Sequence, residues 1–184
     1  MSLKHAILGF LSIAPLTGYT LKKAFDNSVQ HFWTADQGQI YRTLEQIVYS
    51  GWAKVEIVEQ QARPNRKVYH LTKSGRAELR RWLTTPLTRR EEHDPFLVQL
   101  FFASNLSDAE VEALLEREAA EAHAQLAVFD QIAQQYGNTS SRQQAYAMLT
   151  LDYGRKATQA HLEWIETVLA QLHGGKTLLS RSKR

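Results

Sequence analysis

The chain has 184 residues, 43% of them hydrophobic, enough for one large or two small packed domains. It has no cysteine, which excludes disulfides, thiol catalysis and thiolate metal sites. No run of eighteen apolar residues occurs and no basic-then-apolar leader follows Met1, so a cytoplasmic protein is expected.

The net charge of +3 hides an asymmetry. Residues 1–90 carry 14 Lys and Arg against 6 Asp and Glu, a formal +8, whereas the other 94 residues carry 8 against 13, a formal −5. Basic charge gathered in one half points to a polyanionic partner for that half, and nucleic acid is the commonest such partner.

The predicted elements begin with a dense apolar helix from Leu3 to Ile13, stopped at Pro15. Thr17 caps a second helix running to about Asn27, with Leu21, Ala24 and Phe25 inward and Lys22 and Lys23 outward. Asp36, with Gln39 three residues on, forms a capping-box pattern for a third helix. Its buried stripe is Ile40, Leu44, Ile47 and Val48; Gly38, Arg42, Glu45 and Gln46 point the other way, with Gln39 and Tyr41 on the flanks.

After Gly51 the period changes to two. Residues 52–57 read as a strand, 67–71 as its partner, and Arg63-Pro64-Asn65-Arg66 as the turn between them. Three helices, a strand, a basic turn and a strand are the order of a winged helix-turn-helix. Thr72 caps a fourth helix that ends before Pro86.

Asp94-Pro95 opens a short helix over 96–103, and Ser107 caps a long one with Val111, Leu114, Leu115, Ala119, Ala122, Leu126, Phe129 and Ile132 near a heptad period. A turn over 137–141 precedes a second long helix, which Gly174-Gly175 ends before a basic tail that is expected to fray. The fold class is therefore mainly α with a small β wing. The expected domains are a winged helix over 1–86 and a helical dimerisation domain over 87–184. Ala157, Trp164, Ile165, Val168 and Leu172 form an apolar face that one hairpin contact does not cover, so a second copy of the chain is the expected partner.

The residues Ile7-Leu8-Gly9-Phe10-Leu11-Ser12, Pro15 with Gly18-Tyr19 and Leu21, Gly38-Gln39-Ile40-Tyr41 with Leu44, and Tyr69-His70-Leu71-Thr72 with Gly75 resemble the PadR family of transcriptional regulators. The match spreads over residues 3–83. Arg42 departs from it, since the family often has proline after the tyrosine. The second half, around Asp94-Pro95-Phe96 and Leu151-Asp152-Tyr153, is similar to the larger, virulence-activator-type branch, whose members dimerise through extended helices. The resemblance implies a homodimeric regulator on double-stranded DNA, by default a repressor, acting on inverted-repeat operators.

In a winged helix the third helix enters the major groove and the wing follows phosphates or the minor groove. Gln37, Gly38, Gln39, Tyr41, Arg42 and Gln46 are the candidate readers, because glutamine pairs with adenine and arginine with guanine, while Gly38 lets backbone amides approach a phosphate. Tyr19, Lys22, Lys23, Arg63, Asn65, Arg66, Lys67 and Lys73 are the candidate phosphate contacts. Any one of them is equally well read as a solvated surface residue; their convergence carries the assignment.

Trp33, Trp52, Trp82 and Trp164 suit an aromatic small-molecule effector pocket, as smaller family members suggest, but core packing is the stronger explanation. No cofactor or metal is expected: the seven histidines lack metal spacing. Nor is an enzyme. Gly175-Lys176-Thr177 mimics the end of a phosphate-binding loop, yet Ala170 stands where the first glycine belongs. The rival reading is a winged-helix protein-interaction module without DNA binding, for which a +8 half has no use.

Overall fold

A computed structural model describes residues 3–29, 33–59, 65–86, 93–136 and 141–173. The chain divides into two compact units, Met1–Arg89 and Arg90–Arg184. The architecture is mainly helical with one small antiparallel sheet.

The first unit contains α1 (Leu3–Ile13), β1 (Leu16–Thr17), α2 (Gly18–Asp26), α3 (Gln37–Tyr49), β2 (Ala53–Val58), β3 (Arg66–Leu71) and α4 (Lys73–Thr84). The helices start where capping chemistry allows. Thr17 Oγ1 accepts the Thr20 N–H at 3.1 Å while Thr20 Oγ1 accepts the Thr17 N–H at 2.8 Å, a full capping box. Ile7, Leu8, Leu11, Leu21, Phe25, Ile40, Leu44 and Ile47 fill the centre of the unit, and Ala53, Tyr69 and Leu79 close it from the sheet and α4.

The sheet has the order β1-β3-β2, and β3 pairs antiparallel on both sides, so Tyr69 faces Leu16 on one edge and Val55 on the other. Strand β1 is missing from the sequence reading because two residues carry no alternation; they become a strand only through β3. Arg66 belongs to β3 rather than to the turn, and Trp52 precedes β2. In β2 only Ala53 is buried, while Val55, Ile57 and Val58 are exposed, because the strand runs past the end of the core.

The second unit holds α5 (Pro95–Phe101), a 3-10 turn (Ala103–Asn105), α6 (Asp108–Tyr136) and α7 (Arg142–His173). Phe96, Leu114, Leu115 and Ile165 form its core, with Val111, Ala119, Val168, Leu169 and Leu172 packed around them. The two long helices are also tied by Arg155–Asp130 at 3.1 Å and His161–Glu118 at 3.1 Å. His173 is hydrogen-bonded to Glu112, which raises its pKa.

Part of the α7 face expected to meet a partner is already occupied within its own chain. Ile165 is fully buried within its own chain, and Val168 and Leu172 lean on the same core, because α6 already covers that side. Ala157 and Trp164 stay exposed, in line with exposed Tyr146, Leu149 and Tyr153 on a stripe about a third of a turn from Ile165.

Candidate nucleic-acid interface

Helix α3 is capped at its start, buried along one face and exposed around much of the rest. Asp36 Oδ1 accepts the Gln39 N–H at 2.7 Å, and Gln39 Oε1 accepts the Asp36 N–H at 3.1 Å. Ile40, Leu44 and Ile47 anchor the inner face at no more than 1% exposure. Opposite them, Gly38, Arg42, Glu45, Gln46 and Tyr49 are exposed along the length of the helix, with Gln37 at its first turn. Of the proposed readers, Gln39 is partly committed: its carboxamide oxygen serves the cap with one lone pair, leaving the other and its NH₂. A Cβ on Gly38 would lie 3.2 Å from Asp36 Oδ1 and 3.3 Å from Arg42 Nη1, so the guanidinium folds back across the bare first turn.

Tyr41 has two duties. Its ring packs so closely on α2 that a Cβ on Gly18 would stand 2.4 Å from Cε1, yet the side chain remains 37% exposed at the helix-turn-helix surface. Glycine at position 18 is therefore what allows α2 and α3 to meet through this ring. On α2, Tyr19 is exposed and Lys23 Nζ lies 5.7 Å from its ring centroid. Lys22 is already engaged, in an ion pair with Asp26 one turn later.

Arg66 and Lys67 are exposed on β3, paired in register with Val58 and Ile57, and Asn65 is exposed just before them. Arg63 lies outside the described residues. Lys73 is exposed at the first position of α4. The base of the wing is tied by a compact knot. Gly51 has φ +71, and its carbonyl accepts Thr72 Oγ1 at 2.7 Å and Ser74 Oγ at 2.8 Å, while Thr72 Oγ1 also caps Gly75 N at 3.0 Å. His70 and Glu56, 2.7 Å apart, join β3 to β2.

Behind this surface, His5 is buried between α1 and α4, stacked on Trp82 at 4.8 Å and bonded to Glu78 at 2.9 Å. Arg81 first, and His5 second, hold the Glu78 carboxyl down at a pKa of about 2. Burial, with Tyr41 and Glu45 nearby, pushes the Tyr69 phenol up.

Trp33, Trp52 and Trp82 pack against the first unit's core, and Trp52 also takes the Lys4 ammonium 5.1 Å from its ring. Trp164 in the second unit is 40% exposed and touches Phe96 edge-on. Three of the four tryptophans thus supply packing.

Three residues escaped the sequence reading of the site. Lys4, Glu45 and Tyr49 line, with Arg42, Gln46 and Trp52, a cleft of about 560 Å³ on the outer side of α3. Tyr49 is 95% exposed, and its seven-residue spacing from Arg42 was the available signal. Among the described residues no group of three or more His, Asp or Glu is placed to hold a metal. No described helix is long and apolar enough to cross a membrane.

Residues 7–81 match the family model described as the transcriptional regulator PadR-like family, and residues 92–173 match that of the virulence activator alpha C-terminal domain. A probable transcriptional regulator of Mycobacterium tuberculosis is 47% identical over 88 residues, which is 48% of this chain and 47% of that one. The chain thus aligns with about half the length of that relative. The negative transcriptional regulator PadR of Bacillus subtilis is 28% identical over 92% of this chain and 97% of its own. Its crystal structure in complex with operator DNA matches with a TM-score of 0.84 at 29% identity, covering 92% of this chain and 98% of that one. The complex with p-coumaric acid matches with a TM-score of 0.78 at 27% identity, covering 93% and 95%. The two matched segments, in the order winged helix then long helices, give this chain a domain of the PadR-like family of transcriptional regulators, regulators rather than enzymes, followed by a virulence activator alpha C-terminal domain.

Proposed function

We propose that the chain is a cytoplasmic, sequence-specific DNA-binding repressor that acts as a homodimer on inverted-repeat operators. The observation that carries this reading is the outer face of α3, where Arg42 and Gln46 stand exposed on a helix anchored by a buried inner stripe. Guanidinium and carboxamide groups are the side chains that pair bidentately with guanine and adenine in the major groove. Tyr19, Lys23, Arg66, Lys67 and Lys73 supply the phosphate contacts around it. Lys22 contributes less, since its charge is already matched by Asp26.

The first unit is then the DNA-binding domain and the second the dimerisation domain. The apolar stripe of Tyr146, Leu149, Tyr153, Ala157 and Trp164 is exposed along α7, and a second copy covers it with two-fold symmetry. Such a dimer reads half-sites about one helical turn, ~34 Å, apart. Repression follows the named activity of the Bacillus subtilis relative. Its p-coumaric acid complex supports an aromatic small molecule as the effector that releases DNA.

Enrichment of genomic DNA fragments on the purified full-length protein, followed by sequencing, tests the reading. An inverted repeat is the expected outcome, and affinity for it falls steeply with salt, with a log-log slope near −0.9 per phosphate contact over about six to ten contacts. Arg42→Ala changes which bases are preferred, whereas Arg66→Ala weakens all sequences alike. Affinity that is flat between low and physiological salt overturns DNA binding. Equal effects of the two substitutions across a randomised library remove α3 as the reader.

A further inference from the structure

Glu45 is an acidic side chain at the centre of a surface that otherwise suits a polyanion. It projects from the outer face of α3, one turn beyond Arg42, and is exposed. Four of the other five carboxylates of the same unit are engaged locally, Asp26 by Lys22, Glu56 by His70, Glu78 by Arg81 and His5, and Asp36 in the α3 cap, while Glu59 lies away from α3, just after β2. Among the described residues no Lys, Arg or His comes within salt-bridge distance of Glu45. Placed against DNA, an unpaired carboxylate is repelled by the phosphates unless a donor on the bases receives it.

We propose that Glu45 selects cytosine at one position of each half-site, by accepting a hydrogen bond from the exocyclic amine in the major groove. The inference rests on the DNA-binding reading above and names a base preference within it. A carboxylate can only accept. Guanine and thymine present acceptors at the major-groove edge and repel it, and adenine sets its N6 donor beside the N7 acceptor. Cytosine presents its N4 amine with no acceptor of its own alongside, so it is the one base that satisfies the group without opposing it. Glu45 lines an open cleft with Lys4, Arg42, Gln46 and Tyr49, so its carboxylate is not sealed against protein. Arg42, three residues earlier on the same face, reads a neighbouring guanine, so the pair specifies a short G·C-containing element. The charge has a second effect: on DNA without a suitably placed cytosine it meets acceptors and phosphates alone, which weakens non-specific binding.

The test compares the full-length wild type with Glu45→Ala and Glu45→Gln in selection from a randomised duplex library, followed by titration of the selected operators. Glu45 is exposed and outside the core, and matching thermal melts establish that the variants fold. The wild type is expected to enrich a fixed cytosine, and replacing it should weaken binding roughly 5- to 150-fold, the span of a good base contact. Glu45→Ala should lose that preference and bind random duplex more tightly, while Glu45→Gln should move it toward adenine. A motif that is unchanged in both variants overturns the proposal and leaves the DNA-binding reading standing. A wild type that enriches no motif overturns both.

Discussion

Replacing Gly75 with alanine should destabilise the first unit, although glycine-to-alanine changes in helices ordinarily stabilise. Gly75 is the third residue of α4, where alanine would contribute up to about 1 kcal/mol. A Cβ built there, however, lies 2.1 Å from the Trp52 carbonyl oxygen, 2.9 Å from its carbon and 2.8 Å from Leu71 Cδ1. The carbonyl cannot swing away freely, because it accepts the Thr72 N–H at 3.0 Å, and Thr72 itself is tied to Gly51 and to Gly75. Relief therefore requires α4 to lift off the strand, at an overpacking cost of about 1–3 kcal/mol and the loss of a hydrogen bond of about 1 kcal/mol. After subtracting the helix gain, a net loss of about 2 kcal/mol remains, or roughly 8–16 °C in Tm for a unit of this size. Thermal unfolding followed by tryptophan emission reports it, since Trp52 sits at the clash. Gly9→Ala is the control: it too is helical, and nothing lies within 4 Å of its added Cβ. The reasoning is refuted if Gly75→Ala melts at or above the wild type, or if the two substitutions shift Tm alike.

Gly18→Ala should displace the Tyr41 ring from α2 and lower operator affinity by about tenfold, a loss of about 1.4 kcal/mol, with retained helix content by circular dichroism; unchanged affinity would mean that the ring has another place to go. For Glu78, the folded pKa of about 2 lies below the ordinary carboxylate value of 4.5, so the unfolded chain binds the proton more readily. Its contribution to stability is therefore complete above about pH 4.5 and is lost as pH falls toward 2. Denaturant midpoints should separate wild type from Glu78→Gln at pH 7 and bring them together near pH 2.5; a constant gap across that range contradicts the assignment. Tyr153→Lys places a charge in the exposed stripe of α7 and should halve the mass seen by light scattering without lowering helix content; a dimer that survives it uses another face.

Much of helix α3 was legible in the sequence alone. Asp36 and Gln39 cap α3, and Ile40, Leu44 and Ile47 repeat at helical spacing, and both are local rules that act within a few residues. The same locality explains the capping by Thr17 and Thr72 and the breadth of the buried stripe on α6. The charge asymmetry was equally plain, because it needs only counting. What escaped depends on residues far apart in the chain. Leu16 and Thr17 are a strand only because Tyr69 and Val68 lie beside them. Gly18 matters because Tyr41 rests on it, and His5, 73 residues away, adds to what Arg81 does locally in holding the Glu78 carboxyl down. Helix α7 carries two apolar stripes, and the single face read from its sequence mixed Ala157 and Trp164 of one with Ile165, Val168 and Leu172 of the other. Ile165 goes inward and Tyr153 stays outside because α6 folds back along one side only, and which side that is depends on the packing of two helices rather than on the pattern of either.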